Sequence, residues 1–337
     1  MADVSTDKTT LEDLAKLAGV SVSTVSRALN DHPLISTRTK QRIWALAREN
    51  DYAFRPSMPS APIGAVGSIV VVTPYFHGRP LPLAHPFFLE LLASIGEAAR
   101  ARDCDFTVSH VAPSTYDDLV LATNTSRADG VIFLGQSAMH LELNKLAETN
   151  ARFVVWGAKL PGQRYRSIGS DNVLGGTRAT SHLARLGRRR IVFVGGTDPE
   201  AMQRRQGYKN ALEQAGLSFD PDLICNVEFE LESAEAAVSG LLESGQEFDG
   251  VVGGSDLIAL GAIRALGRFG KSVPRDVSVV GYDDMLLSRL STPALTTIRQ
   301  DTREAGRLLV GGILDPKSGA GIDRLPTELI VRESCGG

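Results

Sequence analysis

The sequence predicts an N-terminal all-α helix-turn-helix headpiece followed by a two-lobed α/β core of parallel sheets. Three observations carry this. Apolar residues near the N-terminus recur at helical spacing, a Pro-rich break follows, and beyond it short β-branched runs alternate with amphipathic segments in two successive series.

In the headpiece, Leu11, Leu14, Ala15 and Ala18 fall on one face of a first helix. Gly19 supplies the turn, and Ser21 is placed to cap a second helix by accepting a backbone N–H bond. Val25 and Leu29 then point inward. That leaves Val22, Ser23, Ser26 and Arg27 outward, on a helix end suited to a major groove. Ser36, Thr37 and Thr39 open a third helix whose buried stripe is Ile43, Leu46 and Ala47, with Tyr52 closing the unit. A small helical bundle also serves as a protein-docking module. The hydroxyls clustered at the helix starts favour DNA, because hydroxyls and N-terminal amides are phosphate ligands. Residues 27–55 hold six Lys/Arg against three acids, although the whole chain has a formal charge of −3. A local basic face supports phosphate contacts, and the same charges are compatible with a plain solvated helix surface.

Residues 53–66 contain Pro56, Pro59 and Pro62 among small side chains and read as a linker. The first alternating series runs Ser68–Val72, Phe87–Arg102, Phe106–Val111, Gly130–Leu134, Leu141–Thr149 and Phe153–Trp156. The second runs Arg178–Leu186, Ile191–Val194, Gly207–Ala215, Ala234–Leu242, Gly250–Val252, Ile258–Phe269 and Val277–Tyr282. Strands alternating with helices imply parallel sheets with right-handed crossovers. Ligands bind outside the carboxyl ends of such strands, so two facing lobes would enclose one cleft suited to a small molecule sensed by closure.

A length of 337 residues suits two or three domains. Cys104, Cys225 and Cys335 lie far apart without a CxxC pair, which argues against a disulfide framework or zinc cluster. No apolar run approaches membrane-spanning length, and the N-terminus lacks the pattern of a secretion signal, so the expected location is the cytoplasm. Phosphate-binding, nucleophile-elbow and metal-ligand motifs are missing from the sequence, and Val194-Gly-Gly-Thr lacks the rest of a dinucleotide fingerprint. Neither an enzyme nor a cofactor is expected. His77 and His85 flank a long loop; without further close ligands they do not suggest a metal, and the loop is either a specificity element or a surface insertion.

The segments Thr10–Asn30 and Ser36–Tyr52, then Gly169–Gly176, Arg204–Tyr208, Ser255-Asp256, Val279–Asp284 and Pro293–Asp301, occur in an order that resembles the lactose-repressor (LacI/GalR) family of bacterial transcription regulators. The resemblance spans nearly the whole chain and implies a periplasmic-binding-protein-like core. The implied domains are a headpiece at 1–55, a linker at 56–66 and an effector-binding and dimerisation core at 67–337. Within the core, lobe 1 would take about 67–157 and 293–320, and lobe 2 about 158–292 and 321–335. The implied partners are double-stranded operator DNA, a small-molecule effector (a mono- or oligosaccharide) and a second copy of the chain. A regulator sensing a nucleobase or nucleoside, or a cytosolic sugar-binding protein without DNA binding, is the alternative.

By position, the resemblance implies that Val22 and Ser23 read base edges and that Arg27 reaches into the groove, where its fork can pair with guanine. Leu11, Thr24, Ser26, Asn30, Ser36 and Thr39 match phosphate-contacting positions, with helix packing the alternative for Leu11 and Thr24. The family's DNA-induced hinge helix is in conflict with Pro59 and Pro62, since an interior proline costs about 3 kcal/mol. Ala61 stands at the wedge position, with Met58 as a smaller candidate wedge. For the effector, the resemblance implies Asp283 and Arg204 as polar anchors, and Phe88 and Trp156 as flat apolar faces. Gln136, Ser255 and Gln300 would add polar contacts. Trp156 as a lobe-edge aromatic, Asp283 as a helix cap and Arg204 as a surface ion pair are the structural alternatives.

Overall fold

The computed structural model describes residues 9–29, 34–50, 52, 67–76, 79–80, 84–109, 111–124, 128–136, 138–149, 152–315 and 323–336. The expected linker at 56–66 with its candidate wedges, Asn30 and His77 lie outside them. The chain divides into two compact units, Met1–Ala65 and Val66–Gly337.

The first unit holds α1 (Leu11–Ala18), α2 (Val22–Leu29) and α3 (Thr37–Glu49). Each start is satisfied locally. The Thr10 hydroxyl accepts the Asp13 N–H at 3.3 Å while the Asp13 carboxylate accepts the Thr10 N–H at 3.0 Å. Ser21 accepts the Thr24 N–H at 3.1 Å, and Ser36 accepts that of Thr39 at 3.2 Å. These bonds supply partners for amides that a helix leaves unpaired at its first turn. Gly19, at φ 62°, makes the left-handed turn that ends α1. Leu14, Ala18, Val25, Leu29, Ile43 and Ala47 form the core, with Leu11, Leu46 and Tyr52 packed against it.

The second unit contains two six-stranded sheets. The first is built from β1 (Gly67–Val72), β4 (Cys104–Val108), β5 (Gly130–Phe133), β6 (Phe153–Trp156), β7 (Ser167–Ser170) and β13 (Asp323–Leu325), in the order β13-β7-β6-β5-β1-β4. A short antiparallel pair, β2 (Tyr75–Phe76) and β3 (Arg79–Pro80), follows β1. The second sheet takes β8 (Ile191–Gly195), β9 (Ile224–Asn226), β10 (Gly250–Gly253), β11 (Ser278–Asp283), β12 (Thr296–Arg299) and β14 (Glu328–Ile330), in the order β14-β12-β11-β10-β8-β9. Within the two six-stranded sheets all neighbours pair in parallel except β12 and β14.

Helices cover both faces of each sheet, which is why the strands read as nearly unbroken apolar runs. On β1, Ile69 and Val71 face α4 (Pro86–Arg100) and α12 (Thr302–Leu314), while Val70 and Val72 face α5 (Tyr116–Asn124) and α6 (His140–Ala147). In the second sheet, Ile191, Phe193, Val252 and Val280 pack on α7 (Asn172–Arg185) and α8 (Pro199–Gln214). Val192, Val194, Val251 and Val279 pack on α9 (Leu231–Glu243) and α10 (Asp256–Arg268). A five-residue helix, α11 (Leu286–Leu290), follows β11. No helix among the described residues is long and apolar enough to cross a membrane.

The expected lobe boundaries move. Residues 158–170 belong with the first lobe, because β7 pairs with β6. β12, expected in the first lobe, pairs with β11 in the second sheet, and only α12 returns to the first. β13, expected in the second lobe, pairs with Ile168–Ser170 and is tied there by Arg166 to Asp323 at 2.7 Å. The chain therefore passes between lobes after Ser170, Arg299 and Leu325.

Two helices also start earlier than their apolar pattern suggests: α7 at Asn172 rather than Arg178, and α8 at Pro199 rather than Gly207. Glycines interrupt the periodicity because the two helices approach closely. A Cβ on Gly176 would lie 2.1 Å from the Arg204 carbonyl oxygen, and one on Gly207 would lie 2.1 Å from that of Val173. Both obstacles are backbone. Gly207→Ala is therefore expected to cost about 1–3 kcal/mol or more in denaturant unfolding. Gly267→Ala, on α10 with nothing within 4 Å of its would-be Cβ, is expected to be neutral or to stabilise by up to about 1 kcal/mol.

Candidate functional site

On the headpiece, α2 exposes Val22, Ser23 and Arg27, with Thr24 and Ser26 half-buried beside them. The Ser21 hydroxyl lies 2.8 Å from those of both Ser23 and Thr24, so this helix start presents a cluster of hydroxyls and amides. Ser36 is exposed and Thr39 half-buried at the start of α3, their hydroxyls 2.8 Å apart. Leu11 packs on the bundle core. Asn30 is outside the described residues.

In the second unit, a cleft lies where the two sheets present their carboxyl ends. The cleft and its mouth together span about 660 Å³, part of it open to solvent. Trp156 ends β6, Asp283 ends β11, and Gly135, Gly196 and Gly254 follow β5, β8 and β10. Phe88 from α4 and Arg204 from α8 complete the expected set that meets there.

Three expected residues are placed differently. Gln136 is clamped to the chain after β6, its amide donating to the Ala158 carbonyl at 2.7 Å and its carbonyl accepting the Ala158 N–H at 2.9 Å. Ser255 caps α10 by accepting the Ile258 N–H at 3.2 Å. Gln300 stands behind Asp283 and donates to its Oδ1 at 2.7 Å. None of these three lines the cleft. Phe87, Asp198, Glu200 and Phe229 do, without having been expected. Asp198 follows a strand-end Gly-Gly and precedes Pro199, a helix-start signal that could have been read. Phe229 falls between β9 and α9, where no periodicity marks it.

Arg204 and Asp283 are both buried, 3.9 Å apart. The guanidinium donates to Asn172 at 2.9 Å and to the Gly254 carbonyl at 2.5 Å, and stacks 3.8 Å from the centre of the Tyr282 ring. Asp283 adopts φ 120°, a conformation rare for a side-chain-bearing residue. The following turn is held by Asp256, which accepts the Met285 N–H at 2.8 Å and the Thr297 hydroxyl at 2.5 Å. The Asp283 Oδ2 has no hydrogen-bond partner.

Burial pushes the Asp283 carboxyl up to about 7 against the opposing pull of Arg204. Burial, then the neighbouring Asp198, pushes Glu200 up to about 7. His85 stacks on Phe229, ring centres 4.5 Å apart, and burial lowers it to about 4, so it stays neutral. The Phe229 backbone favours its protonated form slightly, but neither ring nitrogen makes a hydrogen bond of proper geometry. Few polar bonds join the lobes across the cleft. Glu200 accepts the Ala158 N–H at 3.1 Å, Gln203 donates to the Lys159 carbonyl at 2.7 Å, and Glu90 accepts the Leu286 N–H at 3.3 Å.

A carboxyl with a raised folded-state pKa holds its proton more tightly folded than unfolded. Its stabilising contribution is complete below the unfolded pKa and lost as pH rises through the folded one. Glu200 moves from 4.5 to about 7. The unliganded protein should therefore lose stability across that window, and Glu200→Gln should flatten the fall in Tm. Identical wild-type and variant slopes would refute this assignment.

Residues 10–54 match the family of bacterial regulatory proteins, lacI family, and residues 180–335 match the periplasmic binding protein-like domain. The HTH-type transcriptional regulator CelR of Thermobifida fusca is 31% identical over 334 residues, covering 96% of this chain and 98% of its own. A solved transcriptional regulator CelR–cellobiose complex superposes with a TM-score of 0.69 at 30% identity, over 97% of this chain and 100% of that one. The lac repressor dimer bound to operator and the anti-inducer ONPF superposes with a TM-score of 0.70 at 26% identity, over 98% and 99%. With a helix-turn-helix headpiece, a periplasmic-binding-protein-like core and full-length likeness to such regulators, the chain belongs to the lacI family: it is a ligand-controlled, DNA-binding transcriptional regulator, not an enzyme.

Proposed function

We propose that this chain is a cytoplasmic repressor that binds a pseudo-palindromic operator as a homodimer and is controlled by a sugar held in the interlobe cleft. The observation that carries the effector site is the buried Asp283 Oδ2, which lacks a partner in a cleft that Phe88 and Trp156 also line. A buried acceptor left unpaired costs free energy that a ligand hydroxyl recovers by donating to it. The aromatic faces suit the apolar sides of a sugar ring, and Arg204 supplies a donor.

On DNA, Val22, Ser23 and Arg27 would meet base edges, while Thr24, Ser26, Asn30, Ser36, Thr39 and Leu11 would meet the backbone. The exposure of α2 and the hydroxyls at both helix starts support this. A two-fold protein matches a two-fold site. Leu89 on α4 and Leu286, Leu287 and Leu290 on α11 are exposed, which supports a self-interface.

Arg27→Ala is expected to lose about 1–3 kcal/mol of discrimination between the selected operator and its base-substituted variants in a binding assay. Unchanged sequence preference would remove Arg27 from the groove. Asp283→Ala is expected to weaken the sugar by about 10- to 100-fold in calorimetry while sparing operator affinity. Unaltered sugar affinity would remove Asp283 from the site.

A further inference from the structure

The charge balance of the cleft is one-sided. Its lining presents three carboxyl groups, Asp198, Glu200 and Asp283, against one cation, Arg204. That guanidinium donates from Nε to Asn172 and from Nη1 to the Gly254 carbonyl and stacks on the Tyr282 ring, so only part of it is left to a ligand. The Asp283 side chain is 1% exposed, and its Oδ2 still lacks a donor. Asp198 and Glu200 stand at the start of α8. A helix N-terminus ordinarily attracts an anion. Here Asp198 fills that role itself, its carboxylate accepting the Ala201 N–H at 2.9 Å.

We propose that Asp198 and Glu200 are the specificity-determining pair of this cleft: with Asp283 they admit effectors rich in hydroxyl or amine donors and exclude those that carry a phosphate or carboxylate group. The proposal rests on the reading of the cleft as the effector site. An entering anion meets like charge on the ionised carboxyls of a half-buried wall, where repulsion is stronger than in water. It also finds the helix terminus occupied by Asp198 and the guanidinium partly engaged. A hydroxyl or ammonium donor instead satisfies Asp283 Oδ2, which the fold leaves without a partner. The aromatic walls add attraction for a cation.

The test uses the full-length protein and matched probes: glucose, glucosamine, glucose 6-phosphate and gluconate, and cellobiose with cellobionate, each by calorimetry. The neutral and amine forms should bind, and the phosphate and carboxylate forms should be weaker than their neutral parents by about tenfold or more. In Asp198→Asn/Glu200→Gln that gap should close to about threefold or less. Both changes keep side-chain shape, and Asn still caps α8; if the double variant does not fold, Glu200→Gln alone should narrow the gap. An anionic probe that binds the wild type as tightly as its neutral parent overturns the proposal. So does a gap that neither variant alters. If no probe binds at all, the sugar-cleft reading fails and the proposal falls with it; if neutral sugars bind but charge makes no difference, only the proposal fails.

Discussion

A guanidinium and a carboxylate 3.9 Å apart, both buried at the cleft, set the terms for the rest of the core. Burying two charges costs more than their attraction returns unless further hydrogen bonds satisfy them. Arg204 obtains those bonds from Asn172 and Gly254, and it reaches them because α7 and α8 touch through Gly176 and Gly207. Asp283 obtains one of good geometry, from Gln300, and a weaker approach from the Asp256 backbone N–H, while the Asp256 carboxylate fixes the turn after it. The fold thus gives the arginine two hydrogen bonds of its own and leaves one oxygen of the aspartate without any. That asymmetry makes the cleft a place for a donor-bearing ligand.

The same cleft is the seam between the two lobes. Each sheet has its own helices on both faces, and the lobes meet where Met285, Phe229 and Leu257 of the second pack on the core of the first. Polar bonds across the seam are few, and they sit beside the lining residues: Glu200 is both a wall of the cleft and the acceptor for Ala158. A ligand that contacts both walls binds the closed arrangement better than an open one, and only that differential affinity can shift the population. Such a shift is the physical basis for control of a headpiece by a core-bound solute.

The headpiece was legible because its signals are local. The inward stripes and the capping Ser21 need only neighbours in sequence, and these residues occupy the expected places. The alternation of strands and helices was legible for the same reason. Lobe membership was not, because β7, β12 and β13 are assigned by pairing partners far along the chain. In the cleft, Phe88, Trp156, Arg204 and Asp283 meet as expected, whereas Gln136, Ser255 and Gln300 spend their polar atoms on backbone and on Asp283. Polar residues near strand ends compete for such positioning bonds, and sequence spacing does not show which will win. Glu200 escaped notice because nothing in its sequence surroundings marks an acid on a helix's first turn as facing a cavity.

The most direct test of the central claim is reciprocal titration of the full-length protein. Operator affinity is measured with and without a saturating sugar, and affinity for that sugar is measured with and without operator. Coupling through one shared equilibrium requires the two ratios to be equal and different from one, in the range of about 5- to 150-fold for ordinary allosteric proteins. A sugar that fills the cleft while leaving operator affinity unchanged would contradict the account.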